Sequence, residues 1–355
     1  MVQKQPSIFP ELLIHPGESL KEFLDEKEIS QKELAIRTGF SEKHISTVVH
    51  GTKDISSSFA YKLGIALDTP PSFWKNLQNQ YDLESESLKE LNAISEEEIK
   101  ISKNIIKPLS KISKIEVTSS DSQNVMNLRH GLGVNNLLNI PLLKQSNPAY
   151  YRAQFKENTS DYLLYAWQYL IEKEVDHQTT KAFNYDLLLE RLPDIKKVMY
   201  EDPKDHFNLI QNILNDCGVL FSVKDSMKEA PLNGLTAKTT MNRLLISLTL
   251  KGQYIDIFFF TLFHEIAHII YHDYLLFSKK ELTAIDIEKR AHTFAEDFLM
   301  DRDTYHKFTH KKQFTNEAII KFSKQRNILP SILIGSLMND GFIKWFDHPL
   351  RIKYK

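Results

Sequence analysis

Apolar positions at the start of the chain recur every three or four residues in short segments, each preceded by a hydroxyl side chain or a turn residue. Residues 19–27 place Leu20, Phe23 and Leu24 on one side of a helix. Ser30 caps a second over 31–38, Ser41 a third over 42–50, residues 56–67 form a fourth, and Ser72 opens a fifth with Phe73, Trp74 and Leu77 inward. The pattern predicts a five-helix bundle. Between 84 and 123 the composition turns to Glu, Lys and Ser with isolated Ile and Leu, which predicts a connecting helix and then a polar linker over 118–123. From Asn124 the apolar density rises again. Residues 161–174 and 204–217 read as helices, and 218–223 and 244–250 as short strands rich in Val, Ile, Leu or Thr. Three more helices follow over 256–274, 286–300 and 315–325. The expected fold class is α+β, mostly α, with domains over 1–83 and 124–355 joined through 84–123.

Charge and cysteine usage narrow the chemistry. Lys and Arg number 45 against 46 Asp and Glu, a net charge of -1, so contact with nucleic acid must come from a local surface. Cys217 is the only cysteine, which rules out an intramolecular disulfide framework and a cysteine-cluster metal site. A metal would need His and carboxylate ligands. No apolar leader stands at the start, and the greasiest stretch, 255–271, is broken by Asp256, His264, Glu265 and His268. Neither a signal peptide nor a membrane span is predicted, and a cytoplasmic location is expected.

Two segments carry recognisable chemistry. In the first, Ala35 is small enough for a close helix crossing, Gly39 tolerates a left-handed turn, and Ile45, Val48 and Val49 anchor the following helix. Glu42, Lys43, Ser46 and Thr47 are left outward, where a recognition helix meets base edges, and Gln31, Lys32, Arg37 and Lys53 complete the candidate DNA contacts. The same spacing suits a plain helical bundle. Charge does not separate the two, since residues 1–83 hold nine Lys or Arg and eleven Asp or Glu.

The second segment is His264-Glu265-Ile266-Ala267-His268. Positions four apart on a helix differ by about 40°, so both imidazoles face one way and can share a zinc ion. Glu265 lies about a quarter-turn away, placed to take a proton from an attacking water. Six of the thirteen histidines fall between His264 and His310, which argues against accident. For a third ligand, the apolar stripe Ala291, Phe294, Ala295, Phe298 and Leu299 defines a buried helix face. Glu288 projects within about 60° of its centre, whereas Glu296 lies about 135° away and Asp297 further round. A buried carboxylate is costly without a partner, so a cation opposite Glu288 resolves it. His272 competes, but it stands eight residues beyond His264, about 12 Å along a continuous helix, too far for both to reach one ion at about 2.1 Å. His292, His306 and His310 have no comparable geometric argument.

These residues carry resemblances. His15-Pro16-Gly17-Glu18, Ser30 to Ala35, Gly39, Ser41, Ile45-Ser46, Gly51, Ala60, Leu63 and Pro71-Ser72-Phe73-Trp74-Lys75-Asn76-Leu77-Gln78 resemble the HigA-type antitoxins of the Xre/Cro-like helix-turn-helix family. The resemblance implies a homodimer on operator DNA and a toxin partner. Glu42 departs from the polar or basic residue usual there. Residues 260–299 resemble the ImmA/IrrE-type metallopeptidases, with Glu288-Lys289-Arg290-Ala291-His292-Thr293-Phe294-Ala295 following the HExxH helix. His292 replaces the usual Asn or Asp, and Asp301 the usual Pro. Residues 128–137, Gly234, the 245–250 strand and Ile328-Leu329-Pro330-Ser331 with Ile334-Gly335 extend the likeness to long regulators that join both domains.

Joined, the halves read as an operator-binding regulator of antitoxin type with a zinc-dependent peptidase domain. Its metal ligands would be His264, His268 and Glu288, its base Glu265, and its substrate a regulatory protein, with this chain's own 118–123 segment a candidate. The rival is an antitoxin or regulator whose second domain binds zinc or a partner protein and cleaves nothing. An intact Glu265 favours the enzyme, because a structural site needs no base. A free peptidase with a vestigial first domain is disfavoured by how complete that domain looks. His348, Tyr305 and His272 are the candidates for stabilising the oxyanion.

Overall fold

Serine caps and a single apolar stripe per helix build the first part of the chain. Its elements are α1 (Pro16–Glu26), α2 (Gln31–Thr38), α3 (Glu42–Val49), α4 (Ser57–Leu67) and α5 (Pro71–Asn92). Ser30, Ser41 and Ser56 each accept the backbone N–H three residues on, at 3.1–3.2 Å, satisfying a donor that the helix start would leave unpaired. Gly39 closes α2 at φ 70°, a left-handed conformation that turns the chain into α3. Leu20, Leu34, Ile45, Val48, Phe59, Leu63 and Trp74 form one buried core. The Trp74 indole donates to Thr69 at 2.8 Å, and buried Gln78 accepts the Ile55 N–H at 2.8 Å, so the aromatic-and-amide start of α5 locks the bundle shut.

A computed structural model describes residues 13–146, 161–225, 233–273, 283–345 and 348–354. The chain divides into two units, Met1–Glu96 and Glu97–Lys355. Here the structure departs from the expected boundaries. α5 does not stop near Leu83 but runs unbroken to Asn92. The following helix, α6 (Glu96–Ser110), is a packed part of the second unit rather than a connector. Its Glu98 is 1% exposed, pairs with buried Arg129 at 2.6 Å and accepts the Leu137 N–H at 2.9 Å. Nor is 118–123 a polar spacer. Ser120 caps α7 (Asp121–Leu132) through the Gln123 N–H, and Thr118 donates its N–H to Asn124 at 2.7 Å. The hydroxyl-rich composition read as linker is that of a helix cap.

The second unit continues with α8 (Ile140–Ser146), α9 (Asp161–Val175), α10 (Tyr185–Lys197) and α11 (His206–Asp216) before a three-stranded sheet. Its strands are β1 (Val219–Lys224), β2 (Gly234–Lys238) and β3 (Leu244–Thr249) in the order β1-β3-β2. β1 runs parallel to β3 with Phe221 beside Ile246, and β2 runs antiparallel with Thr236 beside Ile246. β3, buried along its whole length, is the central strand. Against the sheet packs α12 (Ile255–Ile270), followed by α13 (Ala284–Leu299), α14 (Arg302–Thr309), α15 (Asn316–Arg326) and α16 (Pro330–Asn339).

Phe258, Phe259, Leu262, Phe263 and Ile266 of α12 join Phe221, Ile246 and Leu248 in one core. Burial of each such side chain contributes roughly 1.5–3 kcal/mol. The end of the chain fastens the start of α12. Arg351 pairs with Asp256 at 2.6 Å with both side chains almost fully buried, and Tyr354 reaches His206 at 2.9 Å. No helix among the described residues is long and apolar enough to cross a membrane.

Candidate metal centre

α12 presents His264 and His268 on one side because they are one turn apart, and its apolar neighbours fix that side by burying the others. The two Nε2 atoms lie 3.2 Å apart. Glu288, from the first turns of α13, brackets them, with Oε2 3.0 Å from His264 and Oε1 3.3 Å from His268. The ligand atoms of these three residues lie within 4.8 Å of one another. Burial alone would lower the His268 pKa, but hydrogen bonds to Asp273 and Glu288 raise it to about 10. Glu288 is held down to about 2 against its own burial by His264 and His268. The cluster thus favours positive charge where its ligand atoms converge, and two imidazoles with one carboxylate are the donor set of a catalytic zinc site.

Glu265, beside the two imidazoles, also reaches the junction of α12 and β2. Gly234 makes room for it, since a Cβ at that position would stand 2.5 Å from Glu265 Oε1. The Thr236 hydroxyl lies 2.8 Å from Glu265 Oε2 and 2.9 Å from its backbone oxygen. Burial raises the Glu265 pKa, while His268, His264 and Thr236 pull it down. A carboxylate in that setting takes up a proton more readily than one in water.

Two contributors to this arrangement were not apparent in the sequence. β2 is short and contains Gly and Ala, which hides its alternation, although Gly234 belongs to the resemblance. Asp273 lies past the end of α12 and places Oδ2 2.8 Å from His268 Nδ1. An acid five residues after a histidine suggests no shared helix face, so periodicity could not find it. His272 stacks on Tyr185 at 5.0 Å, and the Tyr305 hydroxyl donates to Asp340 at 2.7 Å. His348 Nδ1 accepts the Leu350 N–H at 3.1 Å. His292 turns to Glu296 at 3.0 Å and sets its ring against Phe260.

Of the candidate DNA contacts, Lys32, Glu42, Lys43 and Lys53 are exposed, and Gln31, Ser46 and Thr47 are half-buried. Arg37 is exposed and is engaged within its own unit by Glu33 and by the Ala66 carbonyl at 3.3 Å. The Thr47 hydroxyl donates to the His44 carbonyl at 2.8 Å.

Residues 259–324, which include His264, His268 and Glu288, match the Peptidase_M78 family, described as an IrrE N-terminal-like domain. An uncharacterized HTH-type transcriptional regulator of Escherichia coli, YddM, is 31% identical over 68 residues, 19% of this chain and 72% of the relative. A solved structure from Nostoc punctiforme, described as an antidote protein of a plasmid maintenance system, is 32% identical over 23% of this chain and 97% of its own, with a TM-score of 0.21. An addiction module antidote of the HigA family from Coxiella burnetii is 29% identical over 23% of this chain and 95% of its own, also with a TM-score of 0.21. The chain belongs to the HTH-type transcriptional regulators and carries an IrrE-like Peptidase_M78 domain in its C-terminal part.

Proposed function

We propose that the protein is a DNA-binding regulator of antitoxin type whose second unit is a zinc-dependent endopeptidase acting on a regulatory protein in the cytoplasm. The observation that carries this is the convergence of His264, His268 and Glu288 beside a buried Glu265. His264, His268 and Glu288 would hold the ion. When bound, zinc supplies Lewis-acid polarisation of a peptide carbonyl and acidifies water. Glu265 takes the proton of the attacking water on its carboxylate and returns it to the leaving amine. Thr236 holds that carboxylate in place, and the apolar walls of α12 exclude bulk water.

The first unit would dock as a homodimer on an inverted repeat near its own promoter. Lys43, Ser46 and Thr47 would face base edges, with Lys32, Lys53 and the helix N-termini on phosphates. A toxin encoded nearby is the further partner, and its neighbouring gene products are the first substrates to try. Self-cleavage at 118–123 is disfavoured, because those residues cap a helix instead of lying extended. The test incubates zinc-loaded wild type and Glu265→Gln with those gene products and reads fragments by mass spectrometry. Fragments from wild type alone support the enzyme. Zinc held by both proteins with identical fragment patterns returns the non-cleaving regulator.

A further inference from the structure

Directly after Ile270 the chain does something a helix end does not require. His272 takes φ 55°, a left-handed conformation unfavourable by roughly 1 kcal/mol or more for a residue with a Cβ. Two contacts secure it: the His272 ring lies on Tyr185, and the Tyr185 hydroxyl donates to the Ile270 carbonyl at 3.3 Å. The reversal carries Asp273 back to the last turn of α12. There the carboxylate is only 2% exposed, and both of its oxygens are engaged, Oδ2 by His268 Nδ1 at 2.8 Å and Oδ1 by the Arg290 guanidinium. Arg290 in turn lies over the Tyr271 ring at 4.8 Å. It stands two residues after Glu288, so α13 supplies both a ligand candidate and the counter-ion of Asp273.

A buried carboxylate with two fixed partners dictates which way the imidazole faces. Nδ1 must donate to it, which leaves Nε2 directed at Glu288 and His264. The other imidazole has no such brace, since His264 Nδ1 is buried without a hydrogen-bond partner. Orientation at this centre therefore rests on one side.

We propose that Asp273 is a positioning residue for the metal, holding His268 as the Nε2 ligand, with Arg290 holding Asp273, so that affinity depends on a pair that touches no ion. This rests on the reading of His264, His268 and Glu288 as ligands. The test titrates the metal-free full-length chain with zinc or cobalt(II) against a competing chelator, for wild type, Asp273→Asn and Arg290→Gln, beside the melting temperature of each metal-free protein. Asp273→Asn should bind about 10- to 100-fold more weakly while the metal-free protein still melts cooperatively, and Arg290→Gln should lose several-fold. A purely structural Asp273 would lower the melting temperature and leave affinity where it was. If wild type takes up no metal, the site reading fails and this inference with it. If wild type binds and Asp273→Asn binds within about twofold, only the inference falls. Should Asp273→Asn not fold, Arg290→Gln decides, because its side chain is partly exposed and wild-type affinity there would overturn the proposal.

Discussion

The helix-turn-helix unit and the unit that carries the two-histidine, one-glutamate cluster are made in opposite ways. In the first, α2, α3 and α4 each start at a serine cap three residues from its partner, and α2 to α3 turns on one glycine. The chemistry of the second is assembled from distant stretches: β2 cradles Glu265, α13 brings Glu288 and Arg290, and Arg351 reaches back 95 residues to Asp256. Local rules suffice to build a helical bundle, whereas a buried polar cluster needs groups that local rules cannot bring together. Perturbations should accordingly stay local in the first unit and spread in the second.

The largest expected effect tests the spread. Arg351→Ala leaves the Asp256 carboxylate buried without its guanidinium, so the second unit should lose about 3–5 kcal/mol. Chemical denaturation followed through second-unit tryptophans Trp167 and Trp345 would read it. A loss under about 1 kcal/mol would mean that the C-terminal clamp is ornamental. Next comes chemistry without scaffold. Glu265→Gln keeps size and shape, so metal content should equal wild type while cleavage drops at least about a hundredfold, some 2.7 kcal/mol of barrier.

Between these regions, legibility followed sequence distance. The caps Ser30 and Ser41, the turn at Gly39 and the apolar stripes could be read because cause and effect lie within one helical turn. Projection of α13 singled out Glu288, and the structure places its carboxylate against both imidazoles. β2 and Asp273 escaped because one is specified by its neighbour β3 and the other by a strained turn resting on Tyr185. The segment 118–123 misled for a related reason, since polar, hydroxyl-rich residues serve equally as spacer and as cap, and only Asn124 and the helix beyond it decide.

Gly234→Ala probes that long-range fit. Its Cβ would meet Glu265 Oε1 and Cγ at 2.5 and 2.7 Å, so either the carboxylate or β2 must move. The expected cost is about 1–3 kcal/mol of stability together with lost cleavage, and unchanged activity would show that Glu265 need not sit where it does. In the first unit, Lys43→Ala should weaken specific DNA binding by about 1–3 kcal/mol if it reads a base edge. Arg37→Ala should leave both affinity and its salt dependence nearly unchanged, because that guanidinium is already held by Glu33 and Ala66. Gel shifts of the upstream region across a salt series compare the two.

The smallest effect is the sharpest test of locality. The Ser41 hydroxyl accepts the His44 N–H at 3.2 Å and opens the helix proposed to enter DNA. Its loss in Ser41→Ala strands one backbone donor at a helix start, a cost of about 1 kcal/mol. Amides of the first-unit core, such as Ile45 and Val48, should then exchange with solvent roughly fivefold faster wherever exchange needs that unit to open. Amides of β3 should keep their rates, because no cap in the first unit contributes to the sheet. Metal uptake should likewise match wild type. Faster exchange in β3 would mean that the two units share one unfolding transition, and the contrast between local and distant construction would then hold for geometry but not for stability.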